Sequence, residues 1–261
     1  MGHTKECDGL SLMGFTSFAA VGDSFTEGVG DELPDGQVRG WADLVAQGLA
    51  VSSPESVTYA NLAIRGRLLD AILEEQLPAA IALKPQLLSL NGGGNDILRP
   101  RVSIDEVAQR LVDGAKQALD AGIHVILLSG ANPSDHLPMG KRIGARGDAL
   151  AAAVHAKIPP QPGLTFVDNW ADRELRHLDY WSRDRLHMGV AGHRRVAANV
   201  LTALDVPAPD FGPSAPSIQR PRNSEYWREY VLPWIGRRLT GKSSGDTRKP
   251  KYPTLDPVET Q

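Results

Sequence analysis

The sequence predicts an α/β protein whose parallel sheet, about five strands wide, is covered by helices on both faces. Two observations lead there. Five short runs are almost continuously apolar, as strands buried on both faces must be, and stretches with helical spacing alternate with them. A third observation, polar residues at the ends of several of these runs, marks where such a sheet would carry its chemistry, because function in parallel sheets collects at the carboxyl ends of the strands.

In chain order, FAAVG at 18–22 opens the sheet and WADLVAQGLA at 41–50 is its return helix. VTYANLA at 57–63 and the long pattern LLDAILEEQLPAAIAL at 68–83 make the second unit. LLSLNG at 87–92 is followed by SIDEVAQRLVDGAKQALDAG at 103–122, where Ser103 and Glu106 have capping-box spacing and Gly122 is a stop signal. HVILLSG at 124–130 precedes the helical GARGDALAAAVHAKI at 144–158, and LTFVDN at 164–169 leads to the closing pattern HRRVAANVLTAL at 193–204. Right-handed crossovers are expected to join these strands, and no solenoid-type repeat is present.

Beyond this body, PAPDFGPSAPSIQRP at 207–221 is Pro-rich and reads as an extended linker. NSEYWREYVLPWIGRRL at 223–239 is amphipathic: Trp227, Tyr230, Val231, Trp234, Ile235 and Leu239 recur at helical spacing, and Pro233 is expected to kink the helix. That stripe is expected to pack on the protein's own body, ahead of a partner subunit that would make an oligomer, and ahead of a membrane surface. The polar remainder, GKSSGDTRKPKYPTLDPVETQ at 241–261, is expected to be irregular. The expected organisation is a loose N-terminus over 1–16, one domain over 17–206, a linker over 207–222, and a helix with a basic polar tail over 223–261.

The whole-chain figures bound the function. With 261 residues, 41% hydrophobic and 23% charged, the chain has the composition of a soluble globular protein, and its net charge of −3 points to no nucleic-acid partner. The charge is uneven, with nine Lys or Arg against six Asp or Glu in residues 207–261. Cys7 is the single cysteine, which excludes an intrachain disulfide. The opening MGHTKECDGLSLMGF lacks a secretory-type apolar segment, and no run reaches bilayer length, so a cytoplasmic location is expected. Met13 directly precedes the first strand pattern and is a second candidate start.

The chemistry gathers at four places. GDS at 22–24 closes the first run, NLAIRGR at 61–67 follows the second, NGGGND at 91–96 follows the third, and DRLH at 184–187 precedes the last helix. A strand-end hydroxyl such as Ser24 is a poor nucleophile until a base takes its proton. His187 can do so, and Asp184, three residues earlier, can fold back to fix the imidazole and stabilise its cation. Attack on an acyl carbonyl also makes an oxyanion that needs donors already in place. The backbone N–H groups of Ser24 and Gly66 and the carboxamide of Asn95 are candidates. Taken singly, each piece has a plainer reading: a turn or cap serine, a turn glycine, a capped tight loop, a helix start with a surface histidine.

Taken in order, the set resembles the GDSL, or SGNH, hydrolase family of esterases and lipase-like acylhydrolases. The family's four invariant letters fall on Ser24, Gly66, Asn95 and His187; its first block matches GDSFTEG, its third Gly93 to Asp96, and its last Asp184 to His187. Phe25 stands where the family name has Leu. The resemblance covers about residues 17–205 and implies a three-layer α/β/α sandwich of flavodoxin type. It also implies Ser24 as nucleophile, His187 as base, Asp184 as its orienting acid, an oxyanion hole of Ser24, Gly66 and Asn95, and no cofactor. A carboxylic ester is then the expected substrate, cleaved through an acyl-Ser24 intermediate.

Rival functions remain at this point: acyl transfer at the same site, a catalytically silent module that binds an ester or glycan, and a metal-dependent phosphoesterase. Asp23, Asn95, Asp96, Asp184 and His187 could together hold divalent cations, but no DxH opens the chain, no His follows Asn95, and GHRR at 192–195 lacks the second imidazole such two-metal sites use. No GxSxG, GxxxxGK[ST] or HExxH occurs. His193, a second candidate base, has no nearby acid and reads as surface or packing. Arg65 and Arg67 flank Gly66, and Arg99 and Arg101 follow the Asn95 loop; they are candidates to rim the cleft for an anionic acyl substrate, Arg65 and Arg67 above all.

Overall fold

A computed structural model of the protein describes residues 14–212, 218, 220–233 and 245–259. The five apolar runs form β1 (Ser17–Val21), β2 (Thr58–Asn61), β3 (Leu87–Leu90), β4 (His124–Leu128) and β5 (Leu164–Val167). All are parallel, in the order β5-β4-β3-β1-β2, and a sixth strand extends the sheet beyond β2. Helices lie around the sheet, as the three-layer expectation requires.

Each central strand feeds two cores, and this is why the runs are apolar without alternation. Phe18 and Ala20 of β1 point into one core, Ala19 and Val21 into the other, and all four are fully buried. Ile126 and Leu128 of β4 divide from Val125 and Leu127 in the same way. The first core is closed by α2 (Trp41–Ser52) and α8 (Val190–Ala203), through Leu44, Val45, Val196 and Val200. The second is closed by α6 (Ile104–Asp120) and α7 (Gly140–Lys157), and by α3 (Leu69–Ala71) and α4 (Leu77–Ala82). Burying one such Leu or Val is worth roughly 1.5–3 kcal/mol, so the two faces supply most of the driving force. Ser103 caps α6 as its spacing predicts, its hydroxyl accepting from Glu106 N–H at 3.3 Å.

α3 and α4 are one helical stretch interrupted by a wider π turn over Ile72–Gln76, with Leu77 N–H donating to Ile72 O. Pro78, at the start of α4, cannot donate a helical hydrogen bond, and the widened turn lets the chain continue through it. The turn points Gln76 into the interior, where its Oε1 accepts from Gly22 N–H at 2.8 Å. The residue before the Asp23–Ser24 pair is thereby held from across the core.

Two findings differ from expectation beyond residue 206. The polar tail is not irregular throughout: β6 (Tyr252–Pro257) pairs antiparallel with β2 at the sheet edge. An edge strand tolerates Pro253 and Pro257 and exposes most of its side chains, so its polarity hides it from a search for apolar runs. Tyr252 stacks obliquely on Tyr59, ring centroids 5.8 Å apart. The amphipathic segment begins as α9 (Asn223–Tyr226) and continues as a π turn over Trp227–Val231; Tyr226 and Val231 are buried while Trp227 is half exposed. Trp234, Ile235 and Leu239 lie outside the described residues, as do 1–13 and most of the Pro-rich stretch.

Candidate active site

β1 ends at Val21, and the chain turns at once into α1 (Ser24–Glu27), a single helical turn that carries Ser24 at its start. Asp23 caps that turn, its carboxylate accepting from Phe25 N–H at 3.1 Å. Ser24 N–H therefore belongs to a first helical turn, where backbone donors lack intrahelical partners and suit a developing negative charge. α1 is fixed from below by Asn61 at the end of β2, whose Nδ2 donates to Thr26 O at 2.9 Å.

The third strand leads through Gly93 into α5 (Gly94–Ile97), which places Asn95 beside Asp23. Asn95 Nδ2 donates to Asp23 Oδ2 at 3.2 Å and to Arg67 O at 3.1 Å. Asp96, its neighbour, faces away and accepts from Leu69 N–H at 3.0 Å, capping α3. Gly66 sits in the left-handed region at φ 75°, a conformation a glycine adopts without strain, between Arg65 and Arg67.

The DxxH turn is tightly knit. Asp184 Oδ2 lies 2.5 Å from His187 Nδ1, while Oδ1 accepts from Leu186 N–H, His187 N–H and Ser182 Oγ at 2.7–2.9 Å. Burial alone would raise the Asp184 carboxyl, but the charge of His187 and these donors outweigh it and hold it well below the usual carboxylate range. For His187 burial works downward, and the charge and hydrogen bond of Asp184 override it to raise the imidazole above its ordinary value. With Nδ1 taken by Asp184, Nε2 is the nitrogen left to serve as a base.

Ser24, Asn95 and His187 line one cavity of about 180 Å³ together with Asp23. Asn91 and Ser129 also line it, but most of the remaining wall is apolar and runs between the sheet and α6 and α7, past Leu111, Leu127, Ile143, Leu150, Val154 and Phe166. Asp23 is buried at its polar end, and desolvation raises its carboxyl to about 6, against the opposing pull of Phe25 N–H and of His187.

The other candidates fall elsewhere. Arg65 does not rim this cavity with a solvent-facing guanidinium: it is held by the buried Glu27 in contacts of 2.6–3.0 Å, and Glu27 also accepts Arg65 N–H. Arg67 lies 3.8 Å from Glu75 and contributes its backbone carbonyl to Asn95. His193 is fully buried, its Nδ1 accepting from Trp41 N–H and its Nε2 donating to Val29 O, both at 3.2 Å, so it is a packing residue with both nitrogens used. Among the described residues, no three His, Cys, Asp or Glu side chains converge as a metal-holding group. Glu27 and Gln76 are the residues that sequence reasoning missed. Glu27 was visible only as a letter of GDSFTEG, and Gln76 gave no signal at all.

A serine-bearing turn at the end of β1, a carboxylate-held imidazole just ahead of α8 and a flavodoxin-type strand order are the features of an α/β/α hydrolase class. The description of the GDSL-like Lipase/Acylhydrolase family matches residues 20–195, and the chain belongs to that family. It is a hydrolase of ester bonds. Among solved structures it is similar to the lipase Lip_vut3 from a goat rumen metagenome, at 19% identity and TM-score 0.61 over 72% of this chain and 96% of that one. It is also similar to the acetylxylan esterase Axe2 from Geobacillus stearothermophilus, at 21% identity and TM-score 0.58 over 77% and 99%. TesA shares 25% identity at TM-score 0.53, over 72% and 97%. No curated protein matches the sequence significantly. Among the described residues no helix is long and apolar enough to cross a membrane.

Proposed function

We propose that the protein is a serine esterase that cleaves a carboxylic ester with an aliphatic acyl chain by way of an acyl-Ser24 intermediate. The observation that carries this reading is that Ser24, Asn95 and the Asp184-held His187 line one cavity whose remaining wall is mostly apolar. His187 Nε2 takes the hydroxyl proton as Ser24 Oγ attacks the ester carbonyl, and Asp184 stabilises the imidazolium that results. Ser24 N–H and Gly66 N–H meet the oxyanion, and the Asn95 carboxamide joins them by giving up its bond to Asp23 or to Arg67 O; losing one such donor typically costs roughly 10²–10³ in turnover. The tetrahedral adduct expels the alkoxide, which leaves as the alcohol with the proton from His187. Water, deprotonated by the same imidazole, then releases the carboxylic acid and restores Ser24.

The acyl chain lies along Leu111, Leu150 and Phe166, which neither donate nor accept hydrogen bonds and so favour methylenes over hydroxyls. The test is hydrolysis of p-nitrophenyl esters from acetate to palmitate by wild type and Ser24→Ala, with EDTA present and with a fluorophosphonate label read by intact mass. EDTA-resistant activity and a label, both lost in Ser24→Ala, are expected. Activity that survives the substitution, or disappears with EDTA, would reopen the metal reading.

A further inference from the structure

We infer that the chain beyond the family-matched region carries positioning residues for the active site: Arg220 and Tyr226 behind the acid–base turn, and Lys251 behind the nucleophile. The inference rests on the roles proposed above for Ser24, Asp184 and His187, and it adds residues that lie outside the match to 20–195.

The turn that bears Asp184 and His187 is closed at its base by Ser182. Its N–H donates to His187 O at 2.9 Å and its hydroxyl donates to Asp184 Oδ1 at 2.7 Å. Arg220 grips that base from behind. Its Nη1 donates to Ser182 O at 2.7 Å, and its Nη2 donates to Trp181 O at 3.0 Å and to Leu178 O. One planar guanidinium thus fixes three carbonyls in the approach to the turn, and a lysine ammonium, without the forked geometry, would keep only part of that grip. Inside the turn, Arg185 is held in the left-handed region at φ 59°, which an arginine adopts only under constraint. Its guanidinium lies over the ring of buried Tyr226, 4.2 Å from the centroid.

The same C-terminal part of the chain reaches the other side of the site. The Lys251 ammonium donates to Glu27 O at 2.7 Å, to Val38 O at 3.0 Å and to Asp43 Oδ2 at 2.6 Å, matching three donors to three acceptors. Glu27 ends the helical turn that Ser24 begins, and its carboxylate holds Arg65 N–H, next to Gly66. Arg248 approaches that carboxylate at 3.7 Å. Gly245 packs so closely on the Arg65 carbonyl that a Cβ would lie 2.1 Å from its oxygen. The segment 245–251 therefore bears on α1 and on the Gly66 loop together.

Acid–base turn and nucleophile turn are far apart in sequence, and each is backed by a side chain from this one C-terminal region. A displacement of about 1 Å in such a site can cost on the order of 10² in rate, so these contacts bear on turnover and not only on folding.

The test compares full-length Arg220→Met, Arg220→Lys and Lys251→Met with wild type at a temperature where all are folded. Readouts are kcat and KM on p-nitrophenyl butyrate, the pH profile of kcat/KM, the melting temperature, and the low-field proton resonance of the His187 Nδ1–H. Arg220→Met is expected to lower kcat about tenfold at unchanged KM, to move the acid limb of the pH profile, and to shift or broaden the resonance, with partial recovery in Arg220→Lys. Lys251→Met is expected to lower kcat while leaving the resonance in place. If Arg220→Met does not accumulate folded, Arg220→Lys carries the same comparison. Variants that lose melting temperature yet keep the wild-type kcat, pH profile and resonance would overturn the inference, with Ser24-dependent hydrolysis left standing. Hydrolysis that survives Ser24→Ala would instead overturn the proposed reaction, and the resonance would still report whether Arg220 positions His187.

Discussion

Replacing Asp23 by Asn should make the protein more stable at neutral pH and less active, two effects with one source. In the fold the Asp23 carboxyl is raised by burial from 3.8 to about 6. The folded state therefore favours the protonated form, and the stability it lends below pH 4 is lost as pH rises from about 4 through 6. The full loss is about 3 kcal/mol, from a shift of roughly two units at about 1.4 kcal/mol each. Asn is a permanently neutral stand-in. Its Oδ1 can keep the bond from Phe25 N–H, but its Nδ2 meets the Nδ2 donor of Asn95, which loses an acceptor at 3.2 Å and costs about 1 kcal/mol at every pH.

The net expectation for Asp23→Asn is a protein marginally less stable than wild type at pH 4 and about 2 kcal/mol more stable at pH 8. Urea unfolding of both proteins at pH 4, 6 and 8 measures it. The difference between variant and wild type is the quantity to follow, because His193 runs the other way. Burial lowers that imidazole to about 4, so its contribution to stability is lost as pH falls from 6.5 toward 4, and it masks Asp23 in the wild-type profile. Turnover should fall about tenfold, because the Asn95 carboxamide is no longer aimed by a carboxylate. A stability difference that stays flat within about 0.5 kcal/mol from pH 4 to 8 would refute the reasoning, since Asp23 would then ionise as freely folded as unfolded.

Asp184→Asn removes the charge that raises His187, so kcat is expected to drop on the order of 10³–10⁴ while the His187 resonance titrates at lower pH than in wild type. In wild type, activity should be lost as pH falls through the raised imidazole value, because the imidazolium cannot accept the Ser24 proton; a kcat/KM profile from pH 5 to 9 checks this. Ester selectivity should climb about fourfold in kcat/KM per methylene, the equivalent of ~0.8 kcal/mol, until the cavity is full. Leu150→Trp, filling the cavity beside α7, should move that plateau to shorter chains with acetate hydrolysis preserved, as a p-nitrophenyl ester series would show.

The parallel sheet was legible because its strands are buried twice: Phe18 and Ala19 face different cores, and both must be apolar. The candidate site was legible for a related reason. Ser24, Asn95 and the Asp184–His187 pair each sit in a short local pattern whose geometry a few neighbouring residues largely determine. What was not legible is held by contacts distant in sequence. Glu27 holds Arg65, one of the arginines expected to rim the cleft, from 38 residues away, and Lys251 reaches Glu27 O across 224 residues. Neither pairing leaves a trace in local composition. β6 was missed because a strand paired on one side only needs no apolar run, and the π turn at Ile72–Gln76 because Pro78 reads equally well as a kink.

The pairing of β6 with β2 also sets an order of events during synthesis. The strand that covers the β2 edge leaves the ribosome almost two hundred residues after β2 itself. Until it arrives, the backbone donors and acceptors along β2 stay open to any other extended chain. Contacts of such long range also close late and slowly in folding. Lys251, which contacts the turn that Ser24 begins through Glu27 O, is made just ahead of that strand. If Ser24 and Lys251 act as proposed, a polypeptide ended before Lys251 is expected to hold Ser24 without that restraint and to hydrolyse esters more slowly than one that carries it.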